Sequence, residues 1–348
     1  MISMRCHAFF QDASVLSRNL SGALFSAFLF LLLLAGCLPP QPIAPPPEII
    51  PPPPVKKQVI APVPVKAPLP PETLLVVLSD SGSVYGRLAK KIVSTSARET
   101  VVLSLDTPQA GELSLSNQLK TTTGPVIAIG IEAAKFLAPR ARQRDIIFAL
   151  VFNHRELGLL TRGMIGVSML PPPGQVLRTF KALNPQKATL TLPVRSDMAD
   201  YADLARDQAR TLSLTLETPV VANDKELLLL TRKLAPAMGG LWLLPDNRIL
   251  SREILQQVMA VCVKNGKQTI VFSPTLLPLG GLISAEYDEE AIVATILAAA
   301  LTSPDERSQL HGRLLNPDTG RLSINRDMAA TLGLTVPSTH RSLLQGPR

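Results

Sequence analysis

The chain has 348 residues, of which 46% are hydrophobic, 18% charged and 4% aromatic, and its formal net charge is +8 at pH 7. No stripe of Lys or Arg interleaved with aromatics occurs, so nucleic acid is not expected as a partner and the excess charge reads as a generically basic surface. Three cysteines, at 6, 37 and 262, exclude a disulfide-stapled fold and leave stability to a packed core.

Residues 24 to 42 read LFSAFLFLLLLAGCLPPQP. No charge falls between Ala23 and Gly36, and the apolar run is about half the ~20 residues that a membrane-spanning helix needs. Arg5 and Arg18 precede it, and the small residues Ala35 and Gly36 close it, which is the layout of a secretory signal over residues 1–36. LAGC at its end resembles the bacterial lipobox, whose cysteine is lipidated and becomes the first mature residue. The resemblance implies a lipid on Cys37, and Leu38 in place of Asp implies export to an outer membrane. From Leu38 to Pro71 the chain is close to half proline. Such a segment cannot pack a core and favours extended polyproline II, reaching on the order of 100 Å at ~3.1 Å per residue. A spacer over 37–71 is expected; the other reading is a ligand for a proline-recognising domain, with PPPPVKK as its centre.

After Pro71 the texture becomes apolar runs alternating with helical patterns. Residues 73–79, 100–106, 125–130, 145–152, 164–168, 187–192, 212–217, 240–245 and 268–273 read as short, fully buried strands. Near-continuous apolar strands imply a sheet covered on both faces, hence parallel strands with helical crossovers. Between them, SVYGRLAKKIVSTSARE places Val84, Leu88 and Ile92 on one stripe. SREILQQVMAVCVKNG starts at a capping Ser251, turns Ile254, Val258 and Val261 inward and stops at Gly266. Cys262 beside that stripe reads as a small buried hydrophobe. About 265 residues of this pattern suggest two doubly wound α/β lobes joined by a hinge. Lobe 1 is expected over 72–165 plus about 284–302, lobe 2 over 166–283 plus about 320–337, and a tail over 338–348. Ligands of such lobes bind at the carboxyl ends of the strands, in a cleft that closes by hinge bending.

Six stretches, in order, resemble the periplasmic-binding-protein-like substrate-binding proteins of ABC transporters, in the branch of tryptophan/tyrosine-type receptors. They are PVIAIGIEAAKFL, RDIIFALVFNHRELGLL, MIGVSMLPPPGQVLRTFKALNPQ, LWLLPDNRILS, GLISAEYDEEAIVATILAA and LSINRDMAATLGLTVP. The resemblance implies a type I two-lobed receptor that carries an amino acid or related solute to a permease. Two positions depart from it. Where the family has Thr or Ser after Gly130, donating to a ligand carboxylate, this chain has Ile131 and Glu132. Where a small polar pair usually follows the fourth strand, this chain has FNHRE.

In the loop SDSGSVYG (79–86), helix-start amides and hydroxyls make a natural anion site, so Ser79, Ser81 and Ser83 could grip a carboxylate. The alternative is helix capping. Asp246 and Asn247 follow a strand at the expected cleft edge, where Asp would pair with an amine; a Pro-Asp-Asn turn is the alternative. Gly130 and Asn153 complete the expected ligand set, with His154 beside them reading as a solvated loop residue.

No enzyme constellation is present: His7, His154, His311 and His340 lack metal-ligand spacing, and neither a nucleophile elbow nor a phosphate loop occurs. Glu289 and Glu290 read as helix-start acids. No cofactor or metal is expected. Two functions remain. One is a lipid-anchored receptor for a small solute that serves an ABC permease. The other is a non-catalytic outer-membrane lipoprotein of the same shape that binds a cell-envelope protein.

Overall fold

The computed structural model describes residues 73–106, 112–183, 186 and 189–345. The expected signal, Cys37 and the proline-rich spacer lie outside the described residues. Two sheets organise the chain. The first contains β1 (Leu74–Leu78), β2 (Thr100–Ser104), β3 (Val126–Ile129), β4 (Ile146–Ala149) and β5 (Ile165–Val167). The second is built from β6 (Thr189–Thr191), β7 (Thr215–Glu217), β8 (Gly240–Trp242), β9 (Gln268–Val271) and β10 (Ile283–Tyr287). The chain then returns to the first sheet for β11 (Leu314–Leu315) and ends in the second with β12 (Gly320–Asn325) and β13 (Leu344–Gln345). The orders are β11-β5-β4-β3-β1-β2 and β13-β12-β10-β9-β8-β6-β7.

Every ladder is parallel except β10 with β12. The reason is legible in β1: LLVVL is buried at all five positions. Leu74, Val76 and Leu78 enter the core beneath the helices Ser83–Thr95 and Glu289–Leu301. Leu75 and Val77 enter the core on the opposite face, with Leu137 of the helix Ile131–Leu137. A strand that feeds two cores must be apolar throughout, and each such side chain contributes ~1.5–3 kcal/mol by its burial. The second sheet is covered in the same way by the helices Pro173–Leu183 and Ala199–Thr211 on one face and Asp224–Leu234 and Arg252–Lys264 on the other. Cys262 is buried in that last core, where burial pushes its thiol up to about 12.

The expected strands all form, but β2 and β7 are not fully buried, because each is the outermost strand of its sheet and has no neighbour on one side. Val84 is 40% exposed rather than part of the inward stripe. Val84 lines a cavity at the strand ends instead, and of the three only Leu88 and Ile92 reach the core. The lobe limits also move. The pairing of β5 with β4 carries the first lobe through Val167, and β10 lies in the second sheet while the helix after it packs on the first. β13 pairs with β12, so residues 344 and 345 are part of the second sheet rather than a tail.

The chain therefore crosses between sheets three times: after β5, after β10 and after β11. The crossings are tied together. Ser168 N–H donates to Leu315 O at 2.8 Å. The Gln175 amide both donates to and accepts from the backbone of Gly320, at 3.1 and 2.8 Å. A side chain at Gly320 would place its Cβ 2.6 Å from Pro171 Cβ, so glycine is what lets two crossing segments touch.

Candidate functional site

The loop leaving β1 meets the start of two helices. Ser79 Oγ accepts the Ala133 N–H at 3.0 Å, so it caps the helix Ile131–Leu137. Ser81 gives both its N–H (3.0 Å) and its hydroxyl (2.8 Å) to Asp106 Oδ2. The Ser104 hydroxyl also donates to Asp106. Hydrogen bonds from Ser104 and Ser81 hold that carboxyl at about 2, well below its usual range. Asp80 Oδ1 accepts the Gly82 N–H at 2.7 Å, and Ser83 opens the helix. Of the three serines expected to grip a ligand carboxylate, Ser79 is engaged with a helix amide and Ser81 with Asp106, while the neighbouring Gly82 amide is held by Asp80.

Gly130 sits at the crossing of these contacts with φ 91° and ψ 171°. Its N–H donates to Ala149 O at 3.0 Å, and a Cβ there would lie 2.5 Å from Ser79 Oγ and 2.9 Å from Tyr85 Cζ. It serves as a packing hinge between β3 and its helix, which requires glycine.

Across the cleft, Asp246 is 2% exposed, but it does not present a free carboxylate. Arg248 grips it with Nε on Oδ1 and Nη2 on Oδ2, each at 2.8 Å, while the Arg248 N–H adds a 3.0 Å bond. The amine pairing expected of Asp246 is replaced by this internal fork, and Asn247 is exposed. Arg248 reaches further, with Nη1 2.7 Å from Asp197 Oδ2 and 2.9 Å from Glu156 Oε2. Its guanidinium also lies 5.7 Å over the Phe152 ring. Its hydrogen bonds to Asp246, then to Asp197, raise its pKa further and keep it charged. Glu156 and Phe152 belong to the loop after β4, so Arg248 joins the lobes. A second such pair, Arg155 with Asp200 at 3.2 Å, runs alongside.

In that same loop Asn153 is half-buried with Oδ1 lacking a hydrogen-bond partner. His154, expected in solvent, is buried against Phe148 at 5.8 Å between ring centroids. Burial pushes its imidazole below the ordinary value, which keeps it neutral at pH 7.

Two cavities open at the carboxyl ends of the strands. One, of about 370 Å³, lies on the first lobe against Asp80, Tyr85 and Leu150. The other, of about 230 Å³, lies on the second lobe against Trp242, Phe272 and Glu286. Met169 and Tyr287, from two of the crossings, line both. A third space beside His154 is about 30 Å³, the volume of one water molecule. Sequence reasoning missed Tyr85, Met169, Tyr287 and Arg248; only Arg248, two residues after Asp246, carried a signal, the spacing of a fork. Among the described residues no group of three or more His, Cys, Asp or Glu could hold a metal ion. No described helix is long and apolar enough to cross a membrane.

No family model and no curated protein matches the chain in sequence. Solved structures do match in fold. A conserved domain protein from Vibrio cholerae O1 biovar El Tor is 14% identical with a TM-score of 0.51, over 80% of this chain and 100% of that one. An ABC domain in complex with L-Trp from Streptococcus pneumonia is 18% identical with a TM-score of 0.50, over 79% and 99%. A substrate-binding protein with adhesive properties from Clostridium difficile, in its ligand-free, open structure, is 12% identical with a TM-score of 0.54, over 80% and 99%. Two parallel-dominated sheets joined by three crossings are the fold that this chain shares with those solved structures, two of which are described as an ABC domain and a substrate-binding protein.

Proposed function

We propose that this chain is a solute receptor: it closes two lobes on a small molecule for an ABC-type permease and is held at the membrane by a lipid on Cys37. The observation that carries the solute role is the pair of cavities at the strand ends, one on each lobe, that share Met169 and Tyr287 at the hinge. That is where open α/β sheets bind ligands, and the larger cavity is within the usual range for a small molecule. The streptococcal neighbour holds L-Trp, which favours an amino acid or a related compound of that size. The role is binding rather than catalysis. Anchoring rests on LAGC at the end of a short apolar run, and the proline-rich segment then spaces the lobes from an outer membrane, facing the periplasm.

The second reading, a lipoprotein of the same fold that binds a cell-envelope protein and no solute, draws on one observation. Ser79, Ser81 and Asp246 are engaged within the protein instead of free in the cleft. Thermal unfolding of the full chain against amino acids, nucleosides, amines and small carboxylates separates the two. A ligand at 100 times its dissociation constant adds ~2.7 kcal/mol, a clear upward shift of the midpoint. No shift with any compound would favour the protein-binding reading.

Cys37→Ser is expected to abolish incorporation of labelled fatty acid and to leave the longer precursor on a gel. A variant still labelled and of mature size would exclude Cys37 as the anchor.

A further inference from the structure

The cleft's charge is one-sided. At its mouth the amides of Ser81 and Gly82, where a ligand carboxylate would dock, already hold the chain's own Asp106 and Asp80. A helix start that has accepted an internal anion repels a second one. Asp80 also lines the larger cavity, and its Oδ1 is the oxygen bound to Gly82, so Oδ2 is available to a ligand donor. Glu286 lines the smaller cavity. Among the described residues, neither cavity has a Lys, Arg or His in its lining. The nearby cations Arg87 and Lys91 are paired with Glu289 and Glu290, and Arg321 stands opposite Glu286 in the β10–β12 register, outside the cavity lining.

The rest of the wall is aromatic and soft. Tyr85 and Tyr287 flank the larger cavity with Met169 between the two spaces, and Phe272 lies in the smaller one. Asp80 and Tyr85 line the same cavity, and burial and the charge of Asp80 push the Tyr85 phenol upward. A carboxylate next to ring faces is the environment that attracts an ammonium group, through charge pairing and the ring quadrupole. A ligand carboxylate would find Asp80 and Glu286 and, among the described lining residues, no cation.

We infer that the cleft selects an organic amine with an apolar or aromatic body and no carboxylate, with Asp80 as its counter-charge and Tyr85 and Tyr287 as the ring faces. This rests on the solute-receptor reading and narrows it, because the amino-acid ligand implied by the resemblance needs a carboxylate site, and here the Ser81 and Gly82 donors of that loop already hold Asp106 and Asp80.

The test is calorimetric titration of the full chain, purified in detergent, with matched probes. Tyramine, phenethylamine, choline and putrescine supply the cation, 3-(4-hydroxyphenyl)propionate supplies the same ring with a carboxylate, and L-tyrosine carries both groups. At least one amine is expected to bind, the propionate is not, and L-tyrosine is expected to bind more weakly than tyramine. Asp80→Asn keeps the Oδ1 acceptor for Gly82 while removing the charge, so it should weaken amine binding ~10- to 100-fold at an unchanged melting midpoint. Tyr85→Leu is a second variant, expected to weaken a quaternary or aromatic amine without abolishing binding of the other amines. Binding of the propionate or L-tyrosine in preference to the amines would overturn the inference and leave the receptor reading standing. Amine affinity unchanged in Asp80→Asn would overturn the assigned counter-charge. No binding by any probe or by any compound of the thermal panel would overturn both.

Discussion

Gly130→Ala is expected to destabilise the folded chain by ~3 kcal/mol or more, the largest effect of any single methyl added to the cleft region. Two costs combine. The backbone at φ 91° and ψ 171° lies where almost only glycine is found, at about 1–3 kcal/mol for another residue. The new Cβ would also press to 2.5 Å from Ser79 Oγ and 2.9 Å from Tyr85 Cζ. Overpacking of that kind costs ~1–3 kcal/mol. The residue cannot relax by shifting, because its N–H is held by Ala149 O and its carbonyl by the Ala134 N–H. For a body of this size ~3 kcal/mol is roughly a 10 °C fall in melting midpoint. A fall of ~2 °C or less in the variant would mean that the turn between β3 and its helix is not constrained as described.

Arg248→Met is expected to cost about 3 kcal/mol and to loosen the lobes together. It leaves the Asp246 carboxylate, 2% exposed, without its two-pronged partner. Breaking one side of a buried pair typically costs ~3–5 kcal/mol, because the remaining charge is stranded. Arg248 itself is 23% exposed, so some water reaches the site and the lower end applies. Asp246→Asn in the same chain should recover much of the loss, since the stranded charge is then removed. Glu156→Gln touches the same guanidinium from the other lobe, but Glu156 is 57% exposed, so it should cost less than ~1 kcal/mol. Denaturant unfolding of the three variants separates these cases. An Arg248→Met loss no greater than that of Glu156→Gln would mean that the fork on Asp246 carries no stability.

Those contrasts bear on what the sequence could convey. Strands such as LLVVL and VIAI, which feed two cores, announce themselves as unbroken apolar runs, and with the less buried β2 and β7 nine strands were legible. β12 was not, because GRLSIN puts the exposed Arg321 into an antiparallel strand and breaks the run. β10 was obscured by its half-buried Glu286–Tyr287 end, which pairs with β12 but not with β9. The site was half legible. Ser79, Ser81, Gly130 and Asp246 were placed at strand ends, where they are found. What each is bonded to depends on Asp106 and Ala133, distant in sequence, and on Arg248, whose three carboxylate partners come from separate segments. Partners as far apart as Ser81 and Asp106, Ser79 and Ala133, or Arg248 and Asp197 leave no local pattern; only the Arg248–Asp246 spacing does. Tyr85, Met169 and Tyr287 converge only because the chain crosses between the sheets.

A solute that enters between the lobes has a built-in reporter in this chain. Trp242 is the one tryptophan in the sequence, sits at the end of β8 and lines the second-lobe cavity. Titrating the full chain with the compound that most raises its melting midpoint should change Trp242 emission saturably, with one site per chain and an affinity matching the thermal shift. A compound that stabilises the protein yet leaves Trp242 emission unchanged at saturation would contradict a solute held between the lobes.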